Sequence, residues 1–293
     1  MNKQPVPAPW QRPEFEREPA DASQASNIRR PLSATERLFG NEAVRKTLIL
    51  IVLIVIWEVY ARWLDNPLLF PSFSDMIRAF WTDFANGVLP NRLATSMKTL
   101  LMGYGIGLLI AAIFTTLAVS TRLGTDLLTT LTSMFNPLPS IALLPLSLIW
   151  FGLGQGALVF VIVHSVLWAV SLNSLVGFRG VPETLRMSGR NCGLGGLRYV
   201  ALLLVPAAFP AILAGLKIGW AFAWRTLIAA ELIFGVASGS GSLGWYIFES
   251  RAELETPSVF AGLFVVIIIG LLVESIVFRT IEKYTIQRWG MER

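Results

Sequence analysis

The sequence predicts an all-α integral membrane protein of about six transmembrane helices, and three observations carry that prediction. Of its 293 residues, 54% are hydrophobic and only 15% are charged, whereas a soluble domain carries about 25% charged residues. Mean hydropathy is +0.61. Charge-free runs of membrane length alternate with short polar stretches, the longest being the 52 residues from Leu127 to Phe178 with no Asp, Glu, Lys or Arg. A bilayer core of about 30 Å needs about 20 apolar residues per helix, so that run is two spans rather than one. The composition also excludes several function classes. A single cysteine, Cys192, and a single histidine, His164, leave no disulfide framework and none of the common metal clusters. The net charge of +5 does not mark a nucleic-acid binder, because the basic residues sit between apolar runs rather than on one soluble face.

Residues 1–46 contain six prolines, eight Lys or Arg and six acids with no sustained apolar run, a composition that predicts a disordered tail. It lacks the apolar run and small-residue cleavage site of a signal peptide, so the tail is expected to stay attached. The first span is predicted over 47–64, with Glu58 and Arg62 inside it and Trp57, Tyr60 and Trp63 suited to an interfacial end. Phe73, Met76, Ile77, Phe80, Trp81 and Phe84 recur at helical spacing and predict an amphipathic helix over 73–85. Ser72 with Asp75 resembles a capping box at its start. That helix lies either in the membrane interface or against the protein's own helices.

Core helices are expected over about 96–278. The second span, from Thr99 to Val119, carries Gly103, Gly105 and Gly107, which allow close helix approach. A tight turn is expected at 121–124. The charge-free run then gives a third span, disrupted by Pro137, Pro139 and Pro145, and a fourth, the two separated at 151–156. A polar loop follows at 179–198, then a fifth span to Phe234. The Gly/Ser-rich and then acidic stretch 235–256 reads as an exposed loop, and a sixth span covers Val259 to Phe278. Putting the tail, Arg122, the 179–198 loop and the C-terminus on one side gives that side seventeen Lys and Arg against five on the other, or nine against five without the tail. That side is expected to be cytoplasmic, with both termini there.

The 179–198 loop carries the most information. Pro182 and Glu183 favour a helix start, while Gly193, Gly195 and Gly196 stop it, so a short exposed helix of about 10 residues is expected. From Met187-Ser188-Gly189 to Gly193 and on to Leu203, Val205 and Pro206, the spacing resembles the signature of ABC-importer permeases: E-A-A, three residues, Gly, nine residues, then I-x-L-P. The E-A-A triplet itself is replaced. Over about residues 48–290 the chain resembles nitrate/sulfonate/taurine-type permeases at Trp57-Glu58, Leu69-Phe70-Pro71-Ser72, Asn136-Pro137-Leu138-Pro139, Leu143-Leu144-Pro145, Trp150-Phe151-Gly152-Leu153-Gly154, Ala223-Trp224-Arg225 and Ala230-Glu231.

The resemblance implies a type I importer permease of the bacterial inner membrane. Such a subunit forms the translocation path, usually as a homodimer with a second permease copy. Two cytoplasmic ABC ATPase subunits bind the ATP and magnesium, and a periplasmic solute-binding protein delivers a small, anionic solute. In that setting Pro182, Glu183, Arg186, Met187, Ser188, Gly189, Arg190, Gly193 and Pro206 belong to the segment that couples to the ATPase. The chain has no Gly-x-x-x-x-Gly-Lys-Ser/Thr phosphate loop, so the energy source is expected on a partner. Membrane lipid is expected as a partner, and no cofactor is expected on this chain itself.

Ionisable groups at membrane depth are costly and tend to face a bundle interior or a wet cavity. Arg225, beside Trp224, therefore either lines an anion path or neutralises Glu231 or Glu58. His164 is expected to be a hydrogen-bonded packing residue, with a place on the path as the alternative. Trp224 reads as a helix contact or a path neighbour, and Pro139 belongs to a broken span that helps form a gate. Lys217 and Glu274 are expected near an interface. Glu58, Glu231 and His164 also keep open an ion-gradient-driven secondary transporter. No cluster of Ser, His, Asp or Cys converges in the manner of an enzyme site.

Overall fold

A computed structural model describes residues 40–234 and 241–288. Contacts divide the chain into one unit ending at Ile56 and a second from Trp57 onward. Among the described residues five helices are long and apolar enough to cross a membrane, or six if a bent pair counts as one span.

Helix α1, Glu42–Leu64, starts before the expected boundary, so the last residues assigned to the tail are helical; residues 1–39 lie outside the described residues. Glu42 sits in its first turn and ion-pairs with Lys46 at 2.6 Å. Helix α2 is Phe73–Ala85, and the Ser72 hydroxyl accepts from the Asp75 N–H at 3.1 Å while donating to the Asp75 carboxylate at 2.7 Å. Met76 is fully buried, and Phe80 meets Phe264 edge-on at 5.8 Å. The helix thus packs on the protein's own spans, and of its large apolar side chains only Trp81 and Phe84 are left exposed.

Helix α3, Val88–Ser120, begins eleven residues before the expected start, with Gly87 as its N-cap at φ 76°. Arg92 and Lys98 read in sequence as a polar boundary, yet they lie on its first turns. The expected turn at 121–124 shrinks to Thr121, whose hydroxyl caps α4, Arg122–Phe135, by accepting from the Gly124 N–H at 2.9 Å. The proline-rich segment does more than kink. The chain breaks at 136–139, forms a tight turn at Ser140–Leu143 and continues as α5, Leu144–Phe151; the two arms are bent by 87°. Proline supplies no N–H and clashes with the preceding turn, so three in nine positions end one helix and start another.

Helix α6, Gln155–Arg179, is the centre of the bundle, with 61% of its apolar window buried against 28% or less for every other long span. Lipid is as apolar as leucine, so helices associate here by close packing rather than by a hydrophobic drive. Glycines make the approach close. A Cβ on Gly103 of α3 would stand 2.7 Å from Ile162, and one on Gly177 of α6 would stand 2.6 Å from the Ala211 Cβ.

After the short α7, Glu183–Asn191, comes α8, which begins as Gly196–Tyr199, passes through a π-turn at Val200–Leu204 and runs on as Val205–Phe234. Pro206 has no N–H to give the fourth residue back, and just before it the Val205 N–H reaches five residues back to the Val200 carbonyl. The expected exposed loop at 235–256 is corrected in its second part. Leu243–Ala252 forms α9, with Leu243, Gly244, Tyr246, Ile247 and Ser250 buried. Helix α10 runs from Thr256–Leu272 through π-turns to Gln287.

Candidate functional site

The break at 136–139 creates a cleft of about 350 Å³ between the proline segment, α6 and α8. Asn136, Pro139, Ser140, His164, Ser165, Trp168, Phe222, Arg225 and Thr226 line it. The Ser140 Oγ and His164 Nδ1 are 3.0 Å apart, and His164 stands edge-on to Phe135 and Trp168. His164 Nε2 and Trp168 Nε1 are buried and have no hydrogen-bond partner among the described residues. Arg225 donates from Nε to the Ala221 carbonyl at 3.1 Å and lies 5.5 Å from the Phe222 ring. Among the described residues no carboxylate stands within ion-pair distance of it. A guanidinium has five donors in a planar fork, so most of this one remains available to an oxyanion.

The carboxylates expected as its rivals are engaged elsewhere. Glu231 is 1% exposed and lies outside the cleft. The Ser96 hydroxyl donates to it at 2.8–2.9 Å, the Gly244 N–H donates at 3.0 Å, and the Leu243 N–H donates to the Ser96 Oγ at 2.9 Å. Glu231 thus serves as a clasp that joins α3, α8 and the first turn of α9, where a carboxylate suits the positive end of the helix. Glu58 pairs with Arg62 at 2.6 Å and accepts from the Ser74 N–H and Oγ, which ties α1 to the start of α2. Trp224 is 5% exposed and donates to the Val266 carbonyl at 3.2 Å, so it is a contact to α10 and not a cleft residue. Lys217 forms a 2.8 Å ion pair with Glu282. Of the six path candidates, Arg225, His164 and Pro139 line this cleft; Trp224 lines a separate pocket with Arg225 on the α10 side, and Glu231 and Glu58 line neither.

In the 179–198 loop, Pro182 stands at the N-cap of α7 with ψ 140°, Glu183 is its first residue, and Gly193 follows its end at φ 79°, a conformation that glycine adopts without strain. Gly189 is buried, and a Cβ there would stand 2.2 Å from Leu203, which fixes α7 against α8. Arg186 turns inward. Its Nε donates to the Val181 carbonyl at 3.1 Å and its Nη2 to the Phe178 carbonyl, satisfying carbonyls at the end of α6. Arg190 lies 5.9 Å from the Tyr199 ring. The outward face is Leu185, Met187 and Ser188, with Met187 55% exposed. Sequence reading missed Leu185 there, and it missed Asn136, Ser140, Ser165 and Thr226 in the cleft. For Asn136, Ser140 and Ser165 the signal was present as polar residues placed inside a charge-free run.

Among the described residues no three His, Cys, Asp or Glu side chains form a metal-sized group. Residues 103–287 match the family described as binding-protein-dependent transport system inner membrane component. The chain is 28% identical over 255 residues to an ABC transporter permease protein of Methanocaldococcus jannaschii, covering 86% of this chain and 94% of that one. It is 30% identical to a protein of Escherichia coli named for aliphatic sulfonates transport, SsuC, over 76% of this chain and 83% of that one. It is 28% identical to the taurine transport system permease TauC of the same organism, over 76% and 82%. With that family model matched over residues 103–287 and with relatives aligned along most of its length, the chain belongs to the inner-membrane components of binding-protein-dependent transport systems, as an ABC importer permease of the nitrate/sulfonate/taurine type.

Proposed function

We propose that this permease carries a small oxyanion of the sulfonate, taurine or nitrate kind along the Arg225 cleft, driven by a separate ATPase that grips α7. The observation that supports the path is a guanidinium without a carboxylate partner beside unpartnered ring nitrogens in a cleft that opens at a helix break. Among the described residues no protein group partners the two ring nitrogens, and no carboxylate neutralises the guanidinium, so water or an anion is the partner this cleft calls for. The printed names of the relatives support the choice of anion. In this reading α7 faces the cytoplasm, in line with the excess of Lys and Arg on its side of the membrane, and both chain ends lie there too. Leu185 and Met187 supply the contact to the ATPase, Arg186 braces the helix from within, and ATP with magnesium binds on the partner. A periplasmic binding protein delivers the solute, and two permease copies enclose the path.

The test is uptake in proteoliposomes that contain the permease, its ATPase and its binding protein. Arg225→Gln is expected to lower uptake at least about tenfold with assembly intact, the scale of one lost charge-assisted contact. Arg225→Lys retains part of the activity. Full uptake by Arg225→Gln overturns the path, and full uptake without ATP overturns the coupling.

A further inference from the structure

Between the end of α3, the inward side of α7 and the start of α8 lies a second pocket of about 430 Å³, lined by Val119, Ser120, Arg186, Arg190, Tyr199 and Val200 among others. It is separate from the cleft and shares no residue with it. Arg190 is exposed, and among the described residues no carboxylate stands within 4 Å of it. The Tyr199 ring lies against its guanidinium, while the Tyr199 hydroxyl is buried without a hydrogen-bond partner among the described residues. Arg186 adds a second positive charge, held in place by its two backbone carbonyls and balanced only by a 3.9 Å contact to the exposed Glu183. At Gly195 and Gly196 a Cβ would meet nothing within 4 Å, so the backbone there borders open space.

We infer that this pocket binds a phosphate ester, and that its occupant is the headgroup of an anionic phospholipid. Two guanidinium groups and a hydroxyl donor suit a phosphate, which offers acceptors on several sides. The pocket sits where α3 ends and the long α8 begins, at the ends of two helices of membrane-spanning length, and its other wall is apolar, with Val119 and Val200 inside it and Leu197, 75% exposed, close by. An apolar wall under a basic rim fits an amphiphile better than a free ion, and basic pockets between transmembrane helices bind anionic lipid headgroups. A lipid held there bridges α7 to the spans on either side of it. Assigning the pocket to the inner leaflet rests on the sidedness proposed above, whereas the binding itself does not.

The test is native mass spectrometry of the full-length protein, stripped of lipid in detergent and titrated with phosphatidylglycerol, phosphatidylcholine or inorganic phosphate. Phosphatidylglycerol is expected to bind better than phosphatidylcholine. Arg190→Gln is expected to weaken it about tenfold and Tyr199→Phe about fivefold, with thermal unfolding unchanged. Millimolar inorganic phosphate that displaces the lipid supports the phosphate contact. Phosphate binding without lipid binding keeps the chemistry and overturns the lipid as its source. Unchanged phosphatidylglycerol binding in both variants, or no binding by the parent protein, overturns the site. Because nothing in this assay depends on transport, a failed uptake reading leaves it standing.

Discussion

Glu231 and Arg225 are six residues apart on α8 and meet opposite fates. At 3.6 residues per turn that spacing turns the two side chains about 120° from one another, so they face different neighbours. The Glu231 side accepts hydrogen bonds from a hydroxyl and a backbone amide that belong to two other helices. On the Arg225 side one donor is bonded to its own helix and the remainder faces a cleft. An ionisable residue in a membrane helix is therefore not a functional residue by type. What separates structure from function is whether the surrounding protein completes its hydrogen bonds.

The largest effect should come from breaking the completed side. Glu231→Ala strands Ser96 and the first amides of α9, and is expected to destabilise the protein by about 3 kcal/mol in a detergent unfolding titration. Glu231→Gln keeps the shape and should cost clearly less. Equal melting of Glu231→Ala and the parent protein would remove the distinction between the two sides. Ser96→Ala should follow at about 2 kcal/mol, because one hydroxyl serves both the carboxylate and the Leu243 amide.

On the open side the pattern should invert. His164→Ala and Ser140→Ala are expected to lower uptake several-fold while stability changes by no more than about 1 kcal/mol, read from paired transport and melting measurements. A smaller effect lies at α9. Burial, and then the hydrogen bond to Asp83, hold the Tyr246 phenol above its ordinary range. Its contribution is complete below the unfolded value near 10 and is lost as pH rises toward the higher folded value. Tyr246→Phe should cost about 1 kcal/mol at neutral pH and abolish that alkaline loss in pH-dependent melting. The smallest change is expected for Arg92→Gln. Its partner Glu249 is 38% exposed, so solvent screening limits the loss to well under about 1 kcal/mol.

The spans were legible because a charge-free run of bilayer length has few other uses, and α7 was legible because Pro182 and Gly193 bracket it locally. What failed to show was everything that depends on distant partners. Ser96 is 135 residues from Glu231, and no local pattern announces that pairing. Sequence placed Arg186 in the coupling segment but gave no sign that its partners are the Val181 and Phe178 carbonyls at and just beyond the end of the preceding helix. Helix α9 was hidden by the glycines before it and the acids after it. Its own signal was nevertheless present, with Ser242 accepting from the Trp245 N–H as an N-cap ahead of Leu243, Tyr246 and Ile247 at helical spacing. The prolines at 137, 139 and 145 announced a disturbance but not its size, since a kink and an 87° corner begin with the same lost amides.

The glycine contacts on both flanks of α6 have a mechanical consequence. With Ile162 seated over Gly103 on one side and Ala211 pressed on Gly177 on the other, sliding any of these three helices along its neighbour would drive side chains into backbone. The trio must tilt together, as a plank does. A shove delivered at α7, which links two of the three, is then felt at the far end of the plank rather than absorbed midway, and the proline corner is the natural place for the chain to fold.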